Sequence, residues 1–277
     1  MDKILILGEN GLIGRAISKR LRCQDFAEIY GTYHSKVPRL KDGVKRFYLD
    51  IKTPEALILW LEENKPSYVI SCLRGDFEDQ LELHKQLAEK IQHTNTKILF
   101  FSTANVFDGD LSRIHYEDDK TMAKSDYGRF KAECEDIIRE ILPNDSVVIR
   151  LPMVLDYDCK RIRDLKKAAK EGSAFTLYNN LHLNIETATS VARKTLMIIE
   201  SKQSGLYHFG TSDEISHKAM YEQLSELLEL KGIKFEVDEM EKGHFTLGTR
   251  RVQTDKPIVR LTIESALKEI TISRACF

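Results

Sequence analysis

The sequence predicts an α/β protein: a doubly wound parallel sheet, then a smaller C-terminal α/β region. Three observations lead there. An N-terminal apolar run ends in a glycine-rich turn, short apolar runs alternate with helical patterns as far as Leu151, and that rhythm breaks after Pro152. Alternation of this kind is how a parallel sheet with crossover helices reads in one dimension.

The elements follow in order. "KILIL" (3–7) is continuously apolar, as a strand covered on both faces should be. Ile13, Ala16, Ile17 and Leu21 then recur at three- and four-residue spacing, a helix face. "EIYGTY" and "RFYLD" (46–50) read as the second and third strands. Thr53 offers a cap and Pro54 a first helical residue for a helix to about Glu63. "SYVISC" (67–72) is the fourth strand, followed by a helix from about Phe77 to Gln92, with "KILFFS" (97–102) the fifth strand. A helix through Tyr127 and Lys131 runs to about Ile141, and "SVVIRL" (146–151) is the sixth strand. Beyond it, 157–172 is basic and helical, "LYHFG" (206–210) reads as a strand returning to the sheet, and a helix spans about Ser216 to Leu230. The apolar stripe Met220, Tyr221, Leu224, Leu227 and Leu228 reads as core, as does Trp60. The expected division is 1–151 for the regular sheet domain, with a returning strand near 205–210, and 152–277 mostly for a substrate-binding region.

Composition narrows the function. The chain has 277 residues, 31% charged and 42% hydrophobic, enough for one large domain or a domain with an annex. A net charge of −1 gives no general attraction to nucleic acid or acidic membrane surfaces, and neither is expected as a partner. The five cysteines (Cys23, Cys72, Cys134, Cys159 and Cys276) are scattered and form no CxxC pair, which fits a reducing cytoplasm and no structural zinc site. The run Ile4–Leu7 is too short for a signal peptide or a membrane span. His84 and His93 are badly spaced for a metal, and Asp118 and Asp119 read as a solvated loop, so no metal site is expected.

The first strand ends in "GENGLIG", with Gly8, Gly11 and Gly14. Glycines permit a tight turn and close backbone approach to a pyrophosphate, and the helix N-terminus behind them meets its charge. Placed between an apolar strand and a patterned helix, the motif points to dinucleotide binding in a Rossmann-type sheet, with Asn10, Leu12 and Ile13 in the mouth of the turn. The second strand runs into "GTYHSK", which has no acid for an adenosine 2′-hydroxyl but supplies His34, Ser35 and Lys36, with Arg39 beyond. That favours NADP(H), with NAD(H) still compatible, since a basic stretch suits a 2′-phosphate. Asp50, followed by Ile51, closes the third strand, where it serves either the adenine amino group or a turn. Cys72, Leu73 and Arg74 after the fourth strand, and Ser102 at the end of the fifth, fall on the same carboxyl edge, where ligands of open α/β sheets bind.

"SDYGRFK" places Tyr127 one helical turn before Lys131, so the two side chains share a helix face. Taken alone, such a pair describes any exposed helix. Here Thr103 ends the fifth strand 24 residues earlier, and hydroxyl, phenol and ammonium together make a proton-delivery device. Thr103 would hydrogen-bond a substrate carbonyl and Tyr127 would give its proton to the forming alkoxide. Lys131 would keep the phenol acidic and hold the nicotinamide ribose.

The glycine spacing, "STANVFDG" (102–109) and "YGRFK" together resemble an extended short-chain dehydrogenase/reductase, and within that superfamily the dTDP-4-dehydrorhamnose reductase family of sugar-nucleotide reductases. "YEDDK" (116–120), "PSYVISC" (66–72), "GLYHFGTSDEISHKAMYEQL" and "RRVQTDKPIVR" are similar to further segments of that family. The resemblance implies reduction of a 4-keto group on a nucleotide-linked deoxysugar with NADP(H), by Thr103, Tyr127 and Lys131, in a chain that admits a homodimer. There are departures. Ala104 and Asn105 replace an Asp-Tyr pair, Leu73-Arg74-Gly75-Asp76 replaces Ala-Ala-Tyr-Thr, Gln80 stands for a relay asparagine, and "RLPMVLDYD" is unlike the family. These rewrite the substrate pocket and leave the hydride and proton machinery. Arg150, Lys160, Arg161 and Arg163 form a basic cluster that suits a diphosphate or, singly, a solvated helix face. Two other readings stay open. One is another member of the superfamily, such as a sugar-nucleotide epimerase. The other is an NADP-binding regulatory subunit resembling that of methionine adenosyltransferase.

Overall fold

A computed structural model describes residues 2–24, 27–35, 42–251 and 258–272, with the backbone alone at 240–242. Seven parallel strands make the main sheet: β1 (Lys3–Leu7), β2 (Glu28–Tyr33), β3 (Lys45–Tyr48), β4 (Tyr68–Ser71), β5 (Lys97–Thr103), β6 (Ser146–Leu151) and β10 (Gly205–His208). They lie in the order β10-β6-β5-β4-β1-β2-β3. The order reverses between β1 and β4, and ligands of open α/β sheets bind in the crevice at such a point, beyond the carboxyl ends of the strands. β1, β4 and β6 are buried almost throughout, which explains their unbroken apolar sequences.

Helices cover both faces. On one, α1 (Leu12–Arg22) packs beside α6 (Ala188–Glu200) over Ile4, Ile6, Ile70 and Leu99. On the other, α2 (Glu55–Asn64), α3 (Phe77–Ile91) and α4 (Asp126–Ile141) cover Leu5, Leu7, Val69 and Phe100. Trp60 is indeed a packing residue, with its ring 5.5 Å from Phe47 and 4.8 Å from Tyr30. The third strand stops at Tyr48, short of Asp50, and α2 starts at Glu55 with Pro54 as its cap residue, one place later than the expected Thr53 cap.

The rest of the chain builds two smaller sheets. β8 (Ala174–Leu183) lies between β11 (Ile215–Ser216) and β12 (Lys234–Phe245), while β7 (Met153–Leu155) pairs with β9 (Ile185–Thr187). Against them pack α5 (Lys160–Glu171), α7 (His217–Leu227) and α8 (Ile263–Ile272), around Leu165, Leu177, Met220, Leu224 and Leu267. Of the expected apolar stripe, Met220, Tyr221 and Leu224 are core, whereas Leu227 is 43% exposed. Among the described residues no helix is long and apolar enough to cross a membrane.

Candidate active site

The glycine turn is dictated by contact. Gly8 has φ +72°, and a side chain there would put Cβ 2.9 Å from the Cys72 carbonyl oxygen, so the turn lies directly on the end of β4. A Cβ on Gly14 would stand 2.6 Å from the Gly8 carbonyl oxygen, so α1 can seat against the turn only with glycine there. Gly11 donates its N–H to the Gly8 carbonyl at 3.0 Å and opens α1 with no side-chain cap. First-turn N–H groups left without a cap carry the positive end of the helix dipole, which suits a pyrophosphate. Leu12, Ile13 and Arg15 line the cleft at this point, and Asn10 is half-buried and engaged.

Of the expected adenosine residues, His34, Ser35, Asp50 and Ile51 are described, and none of these four lines that cleft. His34 is exposed and stacks on Tyr48 with centroids 5.8 Å apart, and Ser35 is exposed beside it. Lys36 and Arg39 lie outside the described residues. Asp50 serves a turn, accepting the Lys52 N–H at 3.0 Å, and Ile51 is half-buried against the second core. Sequence reasoning missed Glu9. It is 2% exposed and takes Arg46 at 2.7 and 3.0 Å, and Arg46 in turn holds Asp42 at 2.8 Å. Asp42 and then Glu9 hold the guanidinium firmly protonated, and Asp42 is drawn down to about 2 mainly by Arg46. Glu9 fits because residue 31 is glycine: a Cβ there would lie 2.8 Å from the Glu9 Cβ.

At the carboxyl end of β5 two sequence motifs lock together. Thr103 turns the chain into a 3₁₀ turn, Ala104–Phe107, accepting the Asn105 N–H at 3.2 Å and donating to Asn105 Oδ1 at 3.0 Å. Asp108 then reaches the start of α4. Its carboxylate accepts the Ser125 N–H at 3.1 Å, the Lys124 N–H and the Ser125 hydroxyl. Ser125 caps the helix by accepting the Gly128 N–H at 3.0 Å. Gly128 lies so close to the 3₁₀ turn that a Cβ would stand 2.3 Å from the Asn105 carbonyl oxygen. This latch fixes Tyr127 relative to Thr103, and both side chains line the same cleft.

The Tyr127 ring is 39% exposed and sits 5.8 Å from Phe77. Withdrawal from solvent holds its phenol above the usual value of 10, opposed by Arg74, Thr103 and Arg161. The expected contact between Tyr127 and Lys131 is not what the helix makes. Lys131 is 6% exposed, donates to the Phe101 carbonyl at 3.0 Å and lies 4.4 Å from the centre of the Phe100 ring. Sharing a helix face brings two side chains near, but a carbonyl at the end of β5 satisfies this ammonium first. Burial pushes Lys131 down to about 8, so its charge is finely balanced near neutral pH. The cations acting on the phenol are Arg74 and Arg161.

Thr103, Tyr127 and Lys131 open on one cleft of about 1100 Å³, together with Ser102, Cys72, Leu73 and Arg74. Ser102 Oγ and Gln80 Oε1 line it, are buried, and lack a hydrogen-bond partner among the described residues. Orphaned polar atoms on a cleft wall suit a polar ligand, as natural proteins satisfy nearly all such groups. Glycine cradle, free helix end and orphaned atoms therefore fit a dinucleotide. The basic cluster divides. Arg150 is 2% exposed and held by Glu135 at 2.7 Å, so it meets no diphosphate. Lys160 and Arg163 line the cleft but pair with Asp164 and Asp158, while Arg161 lines it without an ion pair among the described residues. Asp118 and Asp119 are taken by Arg250 and Arg113 at 3.0 and 2.8 Å.

Comparison with known proteins shows the fold and the family. The chain is 25% identical over 243 residues to the "Probable low-salt glycan biosynthesis reductase Agl14" of Haloferax volcanii, covering 80% of this chain and 79% of that protein. It is 24% identical to the dTDP-4-dehydrorhamnose reductase of Aggregatibacter actinomycetemcomitans, over 76% of this chain and 73% of the other. The fold matches the crystal structure of dTDP-4-dehydrorhamnose reductase from Bacillus anthracis in complex with NADP. The TM-score is 0.80 at 15% identity, covering 98% of this chain and 99% of that one. A family model described as the RmlD substrate binding domain matches residues 1–253, and the chain belongs to that family.

Proposed function

We propose that the protein is an NADP(H)-dependent reductase acting on the 4-keto group of a nucleotide-linked deoxysugar. The observation that carries the reading is the meeting of Thr103, Tyr127 and Lys131 on one cleft at the carboxyl edge of the sheet. The names of the relatives, reductases of sugar nucleotides, support it. Gly8, Gly11 and Gly14 with the start of α1 hold the cofactor's pyrophosphate, and the orphaned Ser102 Oγ and Gln80 Oε1 are satisfied within the same cleft. NADP(H), when bound, supplies the hydride.

The chain's own residues handle the proton and the geometry. Thr103 holds the substrate carbonyl beside the phenol. Tyr127 stays protonated at neutral pH, because burial raises its pKa, and gives its proton to the alkoxide oxygen as that forms. Arg74 and Arg161 stabilise the phenolate left behind. Lys131, anchored on the Phe101 carbonyl, presents its ammonium to the ribose side of the cleft. The region after residue 152 carries the sugar nucleotide, with α5 forming one wall.

The test is NADPH oxidation with a dTDP-4-keto-6-deoxysugar. Tyr127→Phe should lower kcat about 10²- to 10⁴-fold with NADPH affinity unchanged. No turnover by the parent on any keto sugar, alongside tight NADP binding and a co-purifying enzyme, would support the regulatory reading instead.

A further inference from the structure

A second cavity, of about 90 Å³, lies at the β10 edge of the main sheet and shares no residue with the catalytic cleft. β10 supplies His208, α6 supplies Lys194, and loops carry Glu117, Thr249, Arg251 and Arg260. Lys194 is bonded to Glu186, both are buried, and that pair is neutral. His208 donates its Nδ1 proton to the Gly248 carbonyl at 2.8 Å. Burial, and then Arg150, push this imidazole down to about 4, so it is uncharged at neutral pH. The two arginines are not cancelled. Arg260 donates from Nε to the Gly210 carbonyl at 3.0 Å and from Nη2 to the carbonyls of Thr211 and Leu247. Its Nη1 donates to nothing among the described residues. Arg251 holds the Leu206 and Ser204 carbonyls at 2.8 Å and lies 3.8 Å from the centre of the Tyr207 ring. Neither guanidinium has a carboxylate within ion-pair distance among the described residues. Glu117 is the only acid on the described wall, and its oxygens accept from neutral donors, the Thr249 hydroxyl and the Arg250 N–H.

Two uncancelled guanidiniums against one carboxylate leave the cavity positive, which favours an anion. Glu117 sets a condition on that anion. An oxyanion without a proton turns a bare oxygen toward the carboxylate and is repelled. One that carries a proton donates it to Glu117 while its other oxygens accept from the arginines. We propose that this cavity is a binding site for hydrogen phosphate, with Arg260 Nη1 and Arg251 as donors and Glu117 accepting the P–OH group. Its volume is several times what one water needs, which admits a small ion. At neutral pH inorganic phosphate keeps at least one proton, whereas sulfate, also tetrahedral, keeps none. Glu117 therefore separates two ions that the guanidiniums alone would treat alike. Arg251 follows β12 and Arg260 precedes α8, so a bound ion ties both segments to the edge of the sheet. Binding to the folded chain alone then stabilises it by mass action.

Calorimetric and thermal-melting titration of the full chain with sodium phosphate and sodium sulfate at neutral pH tests this. Ionic strength is held with sodium chloride, and saturating NADPH keeps either ion out of the glycine turn. Phosphate should raise the melting temperature and bind at least about tenfold tighter than sulfate. Glu117→Gln puts an amide donor where the carboxylate stood and should bring the two ions within about threefold of each other. Arg260→Gln should weaken phosphate at least about tenfold. Arg251→Gln should weaken it about threefold or more, which keeps the test open if Arg260→Gln folds poorly. NADPH affinity should be the same throughout. Equal binding of phosphate and sulfate by the parent, or a ratio unchanged in Glu117→Gln, would overturn the assignment. So would a melting temperature that phosphate does not move, since water alone then fills the cavity. None of these results bears on the reductase reading, whose test is turnover of a keto sugar.

Discussion

Gly128→Ala sets two known effects against each other. In a helix an alanine is favoured over glycine by up to about 1 kcal/mol, so the change stabilises α4 if nothing stands in the way. The new methyl, however, would lie 2.3 Å from the Asn105 carbonyl oxygen and 3.0 Å from the Ala123 Cβ. The first neighbour is backbone, so it cannot swing aside. To reach even a 3.0 Å contact, the start of α4 and the 3₁₀ turn must separate by at least about 0.7 Å. Overpacking of that kind costs about 1–3 kcal/mol, which outweighs the helix propensity, so the melting temperature should fall. The same displacement parts Tyr127 from Thr103. A misplacement near 1 Å costs about 10²-fold in rate, so kcat for NADPH oxidation should drop roughly 10- to 100-fold. NADPH affinity should change little, because the new methyl meets Asn105 and Ala123 and no residue of the glycine turn. A variant that melts higher than the parent and keeps its kcat within twofold would refute the claim that this contact sets the Tyr127–Thr103 geometry.

Further outcomes are expected at two other sites. Lys131 has its pKa lowered by burial to about 8, so NADPH affinity should weaken as pH rises through that value, by up to roughly tenfold per unit, and Lys131→Met should be weak and flat over the same range. On stability the sign is opposite. The unfolded lysine, near 10.5, binds its proton more tightly than the folded one, so this group makes the protein more stable as pH rises from about 8 to about 10.5. Glu135→Gln leaves the Arg150 guanidinium uncompensated in a site where both partners are almost fully buried, and should cost about 3–5 kcal/mol in denaturant unfolding. Replacing both partners by apolar residues should recover most of that loss.

The first six strands, the glycine turn and the helix carrying Tyr127 were legible because each is a local pattern. A buried strand must be apolar, a crowded turn must be glycine, and a helix must repeat at 3.6 residues. Of the second half, the basic helix, the returning strand and the helix from about Ser216 were legible, and they stand as α5, β10 and α7; the rest was not. α6 carries Thr189, Ser190 and Val191 near its start, residues of modest helix propensity, and it packs on α1. β8 and β12 mix polar and apolar residues because each faces partly to solvent, and their pairing joins segments some 60 residues apart. α8 begins after a stretch with no periodicity.

By itself the sequence determined the glycine turn between the first strand and the first helix, and the residues that end the fifth strand and open the helix carrying Tyr127, since these follow from spacing within single elements. Tertiary structure decided how charges are shared. It gave Arg150 to Glu135, turned Lys131 to the Phe101 carbonyl, folded Glu9 over Gly31 onto Arg46, and brought His217 and Tyr221 into the cleft that holds Tyr127. A charged or polar side chain takes the nearest partner the packed chain offers, and that partner comes from a distant element that no local pattern names.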